Sequence, residues 1–320
     1  MNFFYQDTPL YISALEHQLG SVRRDLEQLK AEGLMVGPTD TLREMGYRYS
    51  RGLGQDESLL SLTTGPLRAA LGKLPQPSSV IFQHCQGETA VLARDPEDKI
   101  GATRNRYFPA AVLRDVKLDH VPYFCSFASG CAGFLSLLIT AAGVLQPAQA
   151  QAVICVMADT LPVGEYYYFD MVRERILASD HASAFVVERA AGDYQVLGVS
   201  FYSTIRAQVP LVEIVKRTVQ MVQELAQGLS LDLAAHDVVL HYPNIFPDTW
   251  KMVTRYLRLP KAEAIIDEMA ERAHCGATDS VITLAKMRRG QEGRLHIVAN
   301  YGVGLHLGVC LLRETAGATS

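Results

Sequence analysis

The chain has 320 residues, 48% of them hydrophobic and 20% charged, with 30 basic against 34 acidic side chains. That composition excludes a disordered chain, and a net charge of −4 with a pI near 6.1 excludes the basic stripe of a general nucleic-acid or membrane-surface binder. The length suits one large core or two fused halves.

Residues 9 to 32 read as a helix, because Leu15, Leu19, Val22, Leu26 and Leu29 recur at helical spacing. After the Gly/Pro-rich passage from Gly33 to Thr39, a second helical pattern runs from about Glu57 to Leu71. Pro75-Gln76-Pro77 breaks the chain, and Ser79-Val80-Ile81-Phe82 is a short buried strand. Residues 83 to 105 carry dense loop signals, and Phe108 to Val116 is helix with Pro109 in its first turn.

From Val121 to Ala158 there is no Asp, Glu, Lys or Arg, which on hydropathy alone makes a membrane-span candidate. The run nevertheless divides. Pro122 to Phe127 is an aromatic strand, Ala128-Ser129-Gly130-Cys131 a small-residue turn, Ala132 to Leu145 an apolar helix, and Ala152 to Met157 a second buried strand. A β–turn–α–β unit with a cysteine at the helix entrance needs no bilayer.

Beyond a loop with Tyr166, Tyr167 and Tyr168, strands are expected at Ala182 to Val187 and Tyr194 to Ser203, and a long amphipathic helix from Leu211 to Leu229. The strand Asp237 to Leu240 stops at His241-Tyr242-Pro243-Asn244. Helices follow around Thr249 to Leu257 and Ala262 to Ala273, and strands at Leu295 to Ala299 and Leu305 to Leu312 close the chain. The two halves echo one another, residues 1–190 carrying Cys131 and residues 191–320 carrying His241, as in a duplicated α/β/α/β/α five-layer fold.

Cys131 draws attention because a helix N-terminus and its unpaired backbone N–H groups favour the nucleophilic thiolate, while small neighbours let a substrate approach. His241, at the carboxyl end of a strand, stands where a base or oxyanion donor would be useful. Tyr301-Gly302-Val303-Gly304 can offer backbone N–H groups to an oxyanion. Asp279 either caps a helix or orients His241. Lys251, Arg255 and Arg258 form a solvated helix face or a docking surface for an acidic carrier protein or the phosphates of coenzyme A. The six cysteines contain no CxxC pair, and the adjacent His274-Cys275 supplies too few ligands for a metal. The first residues lack the basic and apolar regions of a secretory signal, so a cytoplasmic location is expected.

Together these segments resemble the 3-oxoacyl-(acyl-carrier-protein) synthase III family of the thiolase fold. Ser129-Gly130-Cys131-Ala132-Gly133-Phe134 resembles its nucleophile segment, and Phe108-Pro109-Ala110-Ala111 its Phe-Pro-Ser-x-Ala helix start. Met45-Gly46-Tyr47-Arg48 with Asp56-Glu57-Ser58 resembles Thr-Gly-Ile-x-x-Arg…Glu-Thr, and Ser179 to Ala184 resembles Gly-Asp-Gly-Ala-Gly-Ala. His241-Tyr242-Pro243-Asn244 is similar to His-Gln-Ala-Asn, and Tyr301 to Gly304 to Phe-Gly-Gly-Gly.

The resemblance implies a dimeric acyltransferase or condensing enzyme. Cys131 would receive an acyl group from acyl-CoA or acyl carrier protein as a thioester. The N–H groups of Cys131 and Val303 would form the oxyanion hole, and His241 would serve the second half-reaction. No permanently bound cofactor is implied. The family's Gly-Asn-Thr reads Gly276-Ala277-Thr278 here. Losing an oxyanion donor costs about 10²–10³ in rate, so malonyl condensation is disfavoured. The favoured expectation is acyl transfer from Cys131 to a hydroxyl, amine or carbon acceptor in specialised metabolism. Carbon–carbon condensation, hydrolysis of the thioester, or service as the partner subunit of a heterodimeric synthase are the alternatives, and the dimer is of two copies or with a related chain.

Overall fold

The computed structural model describes residues 1–35, 39–74, 76–84, 108–118, 120–127, 129–146, 150–160, 168–169, 176–204, 209–288, 290–302 and 306–316. Its strands are β1 (Asn2–Phe4), β2 (Leu10–Leu19), β3 (Val22–Asp25), β4 (Tyr49–Gly52), β5 (Ser79–His84), β6 (Tyr123–Phe127), β7 (Ala152–Asp159), β8 (Tyr168–Phe169), β9 (Ile176–Leu177) and β10 (His181–Glu188). The second half adds β11 (Tyr194–Ser203), β12 (Val238–His241), β13 (Ala262–Ile265), β14 (Leu295–Gly302) and β15 (His306–Glu314).

The strand order β6-β5-β7-β10-β2 is repeated as β13-β12-β14-β15-β11. In the first set β5 runs parallel to β6 and β7, while β7–β10 and β10–β2 are antiparallel. In the second, β12 runs parallel to β13 and β14, and β14–β15 and β15–β11 are antiparallel. The two sets therefore share one topology. A short pairing of Tyr194–Val196 with Leu10–Ile12 joins them.

Side-chain alternation sorts both sets into layers. On β7, Ile154 and Val156 face an outer cluster with the helix Leu59–Lys73, whereas Val153, Cys155 and Met157 face the centre. On β14, Ile297 and Ala299 face an opposite outer cluster with the helices Leu211–Gly228 and Pro247–Leu257, and Val298 faces the centre. Between the sheets lie the helices Gly133–Val144 and Thr278–Met287, the first touching strands of both halves. This is the expected five-layer α/β fold.

The charge-free run is β6, a turn, a central helix and β7. Its helix has 12 residues, about 18 Å at 1.5 Å per residue and well short of a 30 Å hydrocarbon core. Among the described residues no helix is long and apolar enough to cross a membrane.

Two expected helices are corrected. Residues 9 to 32 contain β2, β3 and only a short helix, Leu26–Ala31, because Leu10, Ile12 and Ala14 bury alternately, with period two, between β10 and β11. Residues 262 to 273 contain β13, which extends the parallel edge of the sheet, and only a four-residue helix, Met269–Arg272. Nearly all of the expected loop at 83–105, together with Tyr166 and Tyr167, lies outside the described residues.

Both central helices follow a glycine with a left-handed φ of 53°, Gly130 before the Cys131 turn and Gly276 before Ala277. A Cβ on Gly276 would also lie 2.8 Å from Nε2 of the buried His181. Gly276→Ala should accordingly destabilise the protein by about 1–3 kcal/mol, read from the midpoint of urea denaturation at constant slope.

Candidate active site

Cys131 sits in the 3₁₀ turn Gly130–Ala132 that leads from β6 into the helix Gly133–Val144, and it is partly exposed. The turn is held from two sides. The amide of Gln83, buried at the end of β5, donates to the Gly130 carbonyl at 3.4 Å. On the other side Gly302 of β14 approaches so closely that a Cβ there would lie 2.7 Å from the Ser129 carbonyl oxygen.

The group facing the thiol is His274, with Nε2 2.9 Å from Cys131 Sγ. Its backbone is clamped to the segment after β9: the His274 N–H donates to Leu177 O, and the Ser179 N–H donates to His274 O, each at 2.9 Å. The opposite ring nitrogen, Nδ1, lies 2.6 Å from Asp279 Oδ2. Asp279 stands in the first turn of the helix Thr278–Met287, where the helix dipole favours a negative charge. Its Oδ2 also accepts from the Asn244 N–H at 2.9 Å, and its Oδ1 from the Cys275 N–H at 3.2 Å and from Arg272. Asn244 is itself fixed, its amide donating to Asp267 O and Ala273 O and its carbonyl accepting from the buried Tyr47 hydroxyl.

The electrostatics follow from these contacts. Burial opposes a charge on His274, but Cys131 and Asp279 override it and hold the imidazole up at about 10 against an ordinary 6.5. Burial likewise opposes the Asp279 charge, and Arg272 and His274 more than offset it, keeping the carboxyl well below the usual carboxylate range. Cys131, His274 and Asp279 thus form a connected nucleophile–imidazole–carboxylate chain.

Cys131 and Asp279, both expected site residues, meet here through His274 and not through the expected His241. His241 lies at the end of β12 with Nε2 2.9 Å from His296 Nδ1, and His296 in turn faces Glu314 at 3.3 Å. Burial, then His296 and Arg294, push His241 well below its ordinary value, so its ring is neutral. Asp279 accordingly orients His274, not His241, and its side chain does not cap its helix, whose N-cap is Ala277. The overlooked signal was the spacing of His274 and Asp279 across a Gly-containing helix entrance, the counterpart of the Cys131 turn. Val303 lies outside the described residues. Lys251, Arg255 and Arg258 are exposed on or just after the outer helix Pro247–Leu257, where Lys251 pairs with Asp248. Arg258 borders a groove of about 470 Å³ lined by Val212, Val215, Val219, Met252 and Tyr256. No group of three or more His, Cys, Asp and Glu side chains suited to a metal ion occurs among the described residues.

No protein-family model matches the sequence, and no curated protein does. Solved structures do match. ChlB3, described as an acyltransferase, superposes with a TM-score of 0.74 at 17% identity, covering 97% of this chain and 99% of its own. 3-Oxoacyl-[acyl-carrier-protein] synthase III from Aquifex aeolicus gives 0.71 at 16% identity, with 96% and 99% covered. A variant of OleA from Xanthomonas campestris gives 0.72 at 14% identity, with 96% and 98% covered. At these identities the likeness is one of fold: the chain has the thiolase-type architecture of the synthase III enzymes, the fold that the sequence segments resembled.

Stability should peak near pH 6.5. His181, His241 and His296 are held down by burial, His181 to about 3 and His296 to about 4. Above 6.5 they are neutral whether folded or unfolded; below it only the unfolded chain takes up protons, at about 1.4 kcal/mol per pH unit for each histidine. His274 acts oppositely, its contribution being complete below 6.5 and lost as pH rises towards 10. Urea midpoints from pH 5 to pH 9 should show the maximum, and His274→Ala should flatten the alkaline side.

Proposed function

We propose that this chain is an acyltransferase that carries its acyl group on Cys131 as a thioester. The observation that supports this most directly is the hydrogen-bonded chain from Cys131 through His274 to Asp279. His274 takes the proton of the Cys131 thiol, and the thiolate adds to the thioester carbonyl of an acyl-CoA or acyl carrier protein. As the tetrahedral adduct collapses, the carbon–sulfur bond to the donor breaks and the departing thiolate leaves with the proton held by His274. The backbone N–H groups of Cys131 and Val303 are the proposed oxyanion donors.

Acylation then changes His274. The thiolate that helped to hold it charged is gone, so the imidazole becomes a base while Asp279 keeps its Nδ1 side fixed. It removes the proton of an acceptor hydroxyl or amine. The acceptor atom attacks the Cys131 thioester, and the proton returns to the cysteine sulfur as the product departs. A base beside the nucleophile suits an acceptor that must lose a proton. Ala277, fully buried in the central apolar cluster, offers no side-chain donor to an enolate, and this disfavours malonyl condensation.

Several features complete the reading. Residues 1–190 supply the nucleophile and residues 191–320 the histidine and aspartate, as two thiolase-like halves. Lys251, Arg255 and Arg258, beside the apolar groove, are the proposed dock for the phosphates or acidic surface of the donor. The enzyme is a cytoplasmic dimer of specialised metabolism, of two copies or with a related chain, and it needs no permanently bound cofactor.

Intact-mass measurement after incubation with a panel of acyl-CoAs and acyl carrier proteins tests the proposal. The wild type should gain one acyl mass, Cys131→Ala none, and His274→Ala should load at least 10²-fold more slowly. An adduct of equal size on Cys131→Ala would overturn it.

A further inference from the structure

Arg272 is buried, its side chain only 3% exposed, and its guanidinium pairs with Asp279 Oδ1 while His274 occupies Oδ2. The two cations therefore share one carboxylate. The backbone enforces this. Arg272 ends the helix Met269–Arg272, which is bracketed by two non-glycine residues with left-handed φ, Glu268 at 51° and Ala273 at 50°. Such a conformation is strained and persists only where its surroundings impose it. The turn at Ala273 directs Arg272 and His274 to opposite oxygens of Asp279. Among the described residues Nε and Nη2 of Arg272 have no hydrogen-bond partner, and Asp279 is the charge that chiefly compensates its own.

We propose that Arg272 is a positioning residue that sets the proton affinity of the Cys131–His274 pair through Asp279; this rests on the acyl-enzyme reading. By neutralising part of the Asp279 charge, Arg272 limits how strongly the carboxylate retains the proton on His274. It also adds a positive charge that favours the thiolate. Both effects act in one direction: a buried cation lowers the pH at which each nearby proton leaves. The acylated enzyme then recovers a neutral imidazole at lower pH than a simple nucleophile–histidine–aspartate chain would allow. The other ionisable groups around the pair include Tyr47, His181 and Cys275, with the buried Asp180 beside Cys275, and His17, Asp267 and Glu268 beyond Arg272. Burial keeps His181 neutral, and it holds the Cys275 thiol up at about 12 and the Tyr47 phenol higher than usual, so these three add no competing charge near neutrality.

The test is the pH dependence of iodoacetamide alkylation, read on the Cys131 peptide by mass spectrometry, with the exposed Cys125 as internal reference. Arg272→Gln should raise the midpoint of the Cys131 acid limb by about one pH unit, as for loss of a unit charge several ångströms away. Arg272→Lys, which keeps the charge, should stay within a few tenths of the wild type, and Cys125 should not move in either. A limb unchanged in Arg272→Gln, or shifted equally in Arg272→Lys, overturns the proposal. If Arg272→Gln fails to fold, Asp279→Asn compared with Arg272→Gln/Asp279→Asn reads the direct effect of the Arg272 cation on the thiolate, with no carboxylate in either. The double variant should have the higher midpoint, and equal midpoints overturn that effect. His274→Ala separates the two claims: a Cys131 profile indifferent to that change defeats the pairing of Cys131 with His274 itself.

Discussion

Asp279 carries a negative charge at a depth where an isolated carboxylate could not remain ionised, since burial without partners costs several kcal/mol. Four donors meet it: the His274 ring, the Arg272 guanidinium and the backbone N–H groups of Asn244 and Cys275. Three of them come from the segment 272–275 and the fourth from the loop after β12, so the carboxylate fixes these two segments against each other. The Asn244 side chain ties that loop to Asp267 and Ala273, and Tyr47 ties it to the N-terminal segment. A position that in a common helix would be a solvated first-turn acid has become the point to which the residues around the candidate site are referenced.

The repeated strand order explains why the thiol of Cys131 and the imidazole of His274 come from different halves. Each half contributes one central helix, entered through a left-handed glycine, and the fold brings the two entrances together. One entrance presents Cys131; the other presents His274 just before it and Asp279 just after it. Gly302 of β14 completes the junction by letting the second sheet touch the Cys131 turn with no side chain between them. Neither half contains the site by itself. A single thiol at a helix N-terminus becomes part of a thiol–imidazole–carboxylate chain only because the duplicated half delivers an imidazole at hydrogen-bond distance.

Local physics made part of this readable in the sequence. The β6–turn–helix–β7 unit was legible because glycines and small residues separate runs whose lengths differ for strand and helix, and Cys131 was legible with it. Residues 9 to 32 were not, because Leu15, Leu19, Leu26 and Leu29 mimic helical spacing while the buried alternation of Leu10, Ile12 and Ala14 depends on neighbouring strands. The choice of histidine failed for a related reason. His241 and His274 both stand beside plausible site residues in the sequence. What separates them is the direction each ring takes once β12 is paired with β14 and the Ala273 turn is formed. Register and a left-handed alanine are tertiary facts; in the sequence only the spacing of His274 and Asp279 around Gly276 points to their result.

Four buried histidines show how completely surroundings decide what an imidazole can do. His181 is hydrogen-bonded to Thr278; burial pushes it to about 3, and the pull of Asp279 is opposed by His274 and Arg272. His296 has a carboxylate neighbour, Glu314, but at 3.3 Å and with Arg294 nearby; it recovers only to about 4. His241 has another imidazole as its partner, and burial likewise holds it well below its ordinary value. Of the four, only His274 has a carboxylate at 2.6 Å on one nitrogen and a thiol at 2.9 Å on the other, and only there is the penalty of burial reversed. A proton that moves within the functional range requires both partners. Because one of them is the sulfur that becomes acylated in the proposed reaction, occupancy of Cys131 by an acyl group is itself what switches His274 from charged acid to neutral base.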